Sequence, residues 1–186
     1  MIAKLSGVLL LAAASSARPD EACVALMRGD TSARARCHDP CLLFGAGDQT
    51  QGDKCANAEL AGLRRDNYGA TVGTLDGIGE PAVPALLKAL ASDSALTRAG
   101  AADALGRMGM RLEKKAPIVD ALVSHAGDAD RDVRIQVIGA IGRVGLKTPA
   151  AEEAVRKAES DSDTVVRALA TLTLAQLKAP PASQRK

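Results

Sequence analysis

The feature that most constrains this chain is a pair of glycines three positions apart inside an alanine-rich helical run, and the run occurs twice. Ala104-Leu-Gly-Arg-Met-Gly-Met110 is followed 36 positions later by Ala140-Ile-Gly-Arg-Val-Gly145. Each glycine inside a helix costs about 1 kcal/mol relative to alanine. A chain that carries that cost twice in register must recover it through packing between the two copies. The repeated segments are therefore expected to be neighbouring helices in close contact.

The register extends beyond these two copies. Arg98, Arg134 and Arg167 recur at separations of 36 and 33, and each opens a helical run over residues 98–109, 134–145 and 167–178. A degenerate fourth copy covers residues 68–79. A second kind of helical run precedes each of the clearer copies, over residues 82–92, 117–126 and 150–159. Pro84, Pro117 and Pro149 fall near the starts of these runs, where proline is tolerated. The two runs are joined by polar turns, Ser92-Asp93-Ser94, Asp128-Ala-Asp130-Arg-Asp132 and Ser160-Asp-Ser-Asp163, whose side chains are suited to cap the following helix. Arg98, Arg134 and Arg167 are read as structural, reaching back to turn aspartates such as Asp93, Asp130 and Asp163.

Two helices per unit at a period of 30–36 residues is the pattern of an α-solenoid. With Asp132-Val-Arg134, Ala101-Ala-Asp-Ala-Leu-Gly-Arg-Met-Gly109 and Ile138-Gly-Ala-Ile-Gly-Arg-Val-Gly145, the chain resembles HEAT repeat proteins, in particular the short HEAT-like repeats of phycobilisome lyases. The last copy departs from the pattern, because Leu174-Ala-Gln-Leu177 lacks both glycines. The expected fold is all-α, with about three to four helix-pair repeats over residues 56–178. Ala102, Leu105 and Met108 form one core stripe, and Ile138, Ile141 and Val144 form the next. Gly106 and Gly142 flank these stripes and let the neighbouring backbone approach. Gly109 and Gly145 are expected to end their helices in the left-handed conformation; at Gly109 Asn or Asp would also serve, whereas a bulky residue at Gly106 would not.

Composition agrees with close helix packing. The chain is 47% hydrophobic but 1% aromatic, so its core is built from Ala, Leu, Val and Ile. Residues 1–17 read as a secretory signal: Lys4 gives a basic start, an apolar run follows, and Ser15-Ser16-Ala17 offers small residues for cleavage. The apolar run is shorter than the roughly 20 residues needed to cross a bilayer. Removing residues 1–17 removes one basic residue and no acid, leaving 23 basic and 22 acidic side chains, a net charge of +1. Such a balance gives no electrostatic basis for wholesale binding of nucleic acid or anionic membrane. The expected destination is the periplasm or the medium, with no membrane span in the mature chain.

Cys23, Cys37, Cys41 and Cys55 all lie within residues 18–55, at spacing C-x13-C-x3-C-x13-C. In an exported chain four cysteines imply two disulfides. Three pairings exist. Cys23–Cys37 with Cys41–Cys55 is favoured because both loops are local and equal in length. This segment is read as a stapled N-terminal cap for the repeat array, whose first layer would otherwise expose an apolar end. A metal-binding or redox cysteine module is the alternative, with His38 completing a zinc site in Cys37-His-Asp-Pro-Cys41. Residues 179–186 read as a disordered polar tail.

No catalytic constellation stands out. The two histidines are His38 and His125, and there is no G-x-S-x-G elbow, P-loop, H-E-x-x-H or dinucleotide fingerprint. No cofactor is implied. The expected function is an exported scaffold or adaptor that binds a peptide or protein. The resemblance implies that the second helices line a concave face. By helical spacing their outward residues are Ala70, Gly73 and Gly77; Gly100, Asp103 and Arg107; Gln136, Gly139 and Arg143; and Leu169, Leu172 and Gln176. Arg107 and Arg143, one repeat apart, would grip carboxylates, with Asp103, Gln136, Leu169 and Leu172 beside them. The resemblance also leaves a chromophore lyase-like or other small-ligand enzyme as an alternative.

Overall fold

The computed structural model describes residues 48–179 and the helix Pro40–Gly45, together with the single positions 22, 25 and 33. The signal segment, Cys23, Cys37, His38 and residues 180–186 lie outside the described residues. Among those described, every regular element is helical. The chain divides into two compact units, Met1–Lys88 and Ala89–Lys186.

In the first unit, helices α1 (Pro40–Gly45), α2 (Gly52–Ala61), α3 (Tyr68–Ile78) and α4 (Val83–Ala89) follow one another, with short 3-10 turns at Gln49–Gln51 and Glu80–Ala82. Its core contains Ala56, Leu60, Val72, Leu75, Ile78 and Leu86. A disulfide joins Cys41 in α1 to Cys55 in α2, with their Cα atoms 4.5 Å apart, one half of the favoured pairing. The start of α2 is tightly enclosed. A Cβ added at Gly52 would collide with Pro81 and lie 3.3 Å from Phe44 and 3.4 Å from Ile78. Gly79 ends α3 at φ 73°, a conformation open to glycine.

The second unit holds α5 (Ala95–Gly109), α6 (Ala116–Ser124), α7 (Arg131–Val144), α8 (Pro149–Ala158) and α9 (Thr164–Lys178). Helices α5, α7 and α9 pack side by side as one layer. Helices α6 and α8 form the other, and α8 also packs on α9. This is the helix-pair stacking of an α-solenoid. The turn residues cap as their chemistry dictates. Ser94 accepts from Thr97 N–H, Asp130 from Asp132 and Val133 N–H, and Asp163 from Val165 and Val166 N–H. Thr148 caps α8 by accepting from Ala151 N–H, just ahead of Pro149.

The two glycine roles divide differently from the sequence expectation. Ala102, Leu105, Met108, Ile138, Ile141 and Val144 are all buried, as the stripes require. Gly145 ends α7 in the left-handed conformation at φ 67°. Gly109 does not end α5 in that way: it remains helical, and Met110 after it is right-handed at φ −59°. Its absent side chain makes room instead, since a Cβ there would stand 2.7 Å from Val144 Cγ2. Gly106 is tighter still, with a Cβ falling 2.7 Å from both Ala140 Cα and Ala140 Cβ. At Gly142 an added Cβ would meet Gln176 Oε1 at 3.0 Å and Thr173 Cγ2 at 3.1 Å. Gly106 and Gly109 thus line the seam between α5 and α7, and Gly142 the seam between α7 and α9. Asn or Asp, expected as substitutes for Gly109, would press into Val144.

Candidate interaction face and the inter-repeat ladder

Each layer of the second unit is fastened to the next by an arginine fork. Arg98 donates from Nε and Nη2 to both oxygens of Asp128, at 2.8 Å each, while its Nη1 donates to the carbonyls of Ser92 and Asp93. Arg134 repeats the arrangement one layer on. Its Nε and Nη2 donate to Asp161 at 2.8 and 2.9 Å, and its Nη1 to the carbonyls of Asp128 and Ala129. The arginines therefore reach forward to the aspartate of the next turn, and only their own turn's carbonyls lie behind them. Of the expected partners, Asp93 takes part only through its main-chain carbonyl, and Asp130 and Asp163 are occupied as helix caps, so the carboxylate in each fork comes from the next layer. Arg131 adds a second rung to the turn after α8, donating to Asp163 at 2.7 Å.

The fork–carboxylate pairs are mostly screened from water, the Arg134 and Asp161 side chains each being 13% exposed. Bidentate, charge-assisted bonds of this kind are stronger than neutral ones. The Arg98 guanidinium holds the Asp128 carboxyl below its ordinary value, and Arg134 does the same for Asp161. The far ends of the helices carry a matching device. Lys115 donates to the carbonyls of Met110 and Val144, and Lys147 to that of Ala179. Both place a cation at a helix C-terminus, where the dipole favours it.

The face assigned to binding is organised around Asp103. This carboxylate is buried and accepts from Arg107 Nε and Nη2 at 3.1 and 3.2 Å, and from Arg143 Nη2 at 3.0 Å. Arg107 and Arg143 are thus brought together, but as a cluster on an internal carboxylate and not as two solvated side chains. Arg143 crosses between the layers over Gly106, whose added Cβ would lie 2.8 Å from Arg143 Nε. That buried Nε has no hydrogen-bond partner. Two guanidinium groups thus share one buried carboxylate.

The other expected site residues spread along the same helices. Gln136 is half-buried on α7. Leu169 is half-buried, with Cδ2 3.6 Å from a Cβ added at Gly139, so it packs on α7. Leu172 is 68% exposed. Gly100, placed outward by spacing, is buried. Ala70, Gly73 and Gly77 are exposed on α3 in the first unit. His125 caps the end of α6, its Nδ1 2.8 Å from the carbonyl of Ala121. Among the described residues no group of His, Cys, Asp and Glu is arranged to hold a metal ion, and no helix is long and apolar enough to cross a membrane.

Comparison with known proteins fits this arrangement. Residues 119–185 match the family model for HEAT repeats. The solved complex of CpcE and CpcF of phycocyanin lyase from Nostoc sp. PCC7120 is similar at TM-score 0.51 and 20% identity, covering 82% of this chain and 95% of that one. A designed armadillo repeat protein is similar at TM-score 0.48 and 17% identity, covering 93% of this chain and 92% of its own. No curated protein matches. The family match over the last two helix pairs, the paired helices and the rung that recurs from layer to layer lead to one conclusion: the chain carries HEAT-like helix-pair repeats.

Proposed function

We propose that the chain is an exported, non-catalytic adaptor that binds a carboxylate-bearing peptide or protein segment along the α5–α7–α9 face. The Arg107–Asp103–Arg143 cluster is the observation that carries this reading. Asp103 holds the two guanidinium groups in place, so a second carboxylate meets donors already oriented. Arg143 has a buried Nε without a partner, and its side chain is 33% exposed. Leu172 supplies apolar area on the neighbouring helix. The repeat scaffold supports protein binding, since stacked layers offer an extended surface.

The test is a titration of fluorescent peptides matched in length and apolar content but differing in Asp and Glu content. Acidic peptides are expected to bind, and Arg107→Glu/Arg143→Glu is expected to abolish that binding. Retention of binding by the doubly substituted protein would remove this face from the account. A bilin titration followed by absorbance tests the lyase-like alternative, which rests on the likeness of fold alone. Export is tested by N-terminal sequencing of the protein from its native cell: a chain beginning at Arg18 supports it, and one retaining residues 1–17 refutes it.

A further inference from the structure

The arginine ladder ends with an open rung. Arg167 is anchored as its predecessors are, with Nη1 donating to the carbonyls of Asp161 at 2.7 Å and Ser162 at 2.9 Å. In Arg98 and Arg134 that anchorage aims Nε and Nη2 at the carboxylate of the following layer. Arg167 has no carboxylate partner among the described residues. A second observation coincides with it. Helix α9 is offset from α7 by 33 residues, so Leu172 and Ala175 stand where Gly139 and Gly142 stand on α7. Those two glycines face Leu169, Thr173 and Gln176 of the following helix. On α9 the equivalent positions face solvent: Leu172 is 68% exposed, Val165 is 46% exposed, and Ala168 and Ala175 are exposed as well.

We propose that this end of α9 is a docking surface for a helical-repeat layer of a different protein chain, which inserts an aspartate into the Arg167 fork and lays a helix along Val165, Ala168, Leu172 and Ala175. The ladder specifies the partner's chemistry. Asp128 and Asp161 each stand two residues before the capping Asp130 and Asp163 and accept their N–H groups at 2.8 Å. The partner therefore carries an Asp-x-Asp or Asp-x-Ser turn ahead of a helix with a small residue opposite Leu172. Among the described residues none fills the Arg167 fork. The turn Ser92-Asp93-Ser94 has Ser92 at the rung position, its hydroxyl accepting from Ser94 N–H, so a second copy offering that turn would bring no carboxylate there. Two α9 helices packed against each other would leave both forks empty, because α9 contains no Asp or Glu. Residues 180–186, Pro-Pro-Ala-Ser-Gln-Arg-Lys, hold no acidic side chain and begin with two prolines.

The test places a photo-crosslinking amino acid at Leu172 of the full chain in its native cell and maps the crosslinked peptide by mass spectrometry. The expected product joins Leu172 to a helix of another chain that follows such an aspartate turn. Arg167→Asp is expected to reduce its yield about tenfold or more, as loss of a desolvated charge pair does, and Asp→Arg in the partner's turn to restore it. Ala168→Glu, at an exposed position on the docking stripe, is a second variant expected to suppress the product without disturbing the fold. A crosslink to residues 180–186, to a second copy, to a protein lacking the turn, or to none would overturn the proposal. Because Arg107→Glu/Arg143→Glu leaves α9 unaltered, that variant should retain the crosslink.

Discussion

Replacing Gly106 with alanine reverses the effect this substitution has elsewhere in a helix. Propensity alone favours alanine by about 1 kcal/mol. Against it, the new Cβ would stand 2.7 Å from Ala140 Cα and Cβ, whereas carbon atoms prefer about 3.5–4.0 Å. The obstruction is backbone, so relief requires α5 and α7 to move apart. Overpacking of this kind costs about 1–3 kcal/mol. Arg143 Nε, 2.8 Å from the same point, would also be pushed from its course to Asp103, weakening a bond to a charged group that is worth about 1.5–3 kcal/mol. The balance is a loss of about 2 kcal/mol, allowing for incomplete additivity. Gly73→Ala is the matched control: Gly73 lies inside α3, and a Cβ there has nothing within 4 Å. It should gain about 0.5–1 kcal/mol. Urea unfolding read by far-UV circular dichroism suits a chain with one Tyr and no Trp. Hydrogen exchange then assigns each change to its helix. If Gly106→Ala is as stable as the parent while Gly73→Ala gains, the close-approach reasoning is refuted.

Three further outcomes follow from the same geometry. Asp128 and Asp161 have folded values depressed by Arg98 and Arg134, so the unfolded chain binds protons first as pH falls. Their stabilisation is complete above the unfolded aspartate value of about 3.9 and is lost as pH falls through the depressed values; Asp128→Asn/Asp161→Asn should flatten this acid limb in denaturation measured at a series of pH values. Asp103→Ala leaves two guanidinium groups facing each other and should destabilise α5 and α7 by about 3 kcal/mol, seen as faster amide exchange in both helices. Reducing the Cys41–Cys55 bond, which spans 14 positions, should cost the first unit about 3 kcal/mol. Melting with and without reductant reads that loss, and peptide mapping of the oxidised protein should recover the linked pair.

Helix positions, caps and core stripes were legible because they depend on local chemistry and a 3.6-residue period. Ser94, Asp130 and Asp163 cap as their positions ahead of each run require. The seam at Gly106 was legible because a repeated penalty inside a helix needs a repeated compensation. The direction of Arg98 and Arg134 was not. Both adjoining turns contain aspartates, and only the offset between layers decides which lies within reach. Gly109 was misread for a related reason: a glycine near a helix end is suited both to the left-handed stop and to a close contact, and only the position of Val144 distinguishes them. Arg107 and Arg143 were expected at equivalent positions one repeat apart. Their meeting at Asp103 depends on Arg143 crossing a gap that Gly106 leaves open, which a single helix cannot reveal.

The most direct test of a chain held together layer by layer is a double-mutant cycle on the rung between α7 and the turn before α9. Arg134→Gln, Asp161→Asn and the double variant are unfolded in urea at neutral pH. A fork-to-carboxylate pair 13% exposed on each side should show a coupling energy of about 1–2 kcal/mol. Coupling below about 0.3 kcal/mol, the range of independent sites, would contradict the rung and the stacking register built on it.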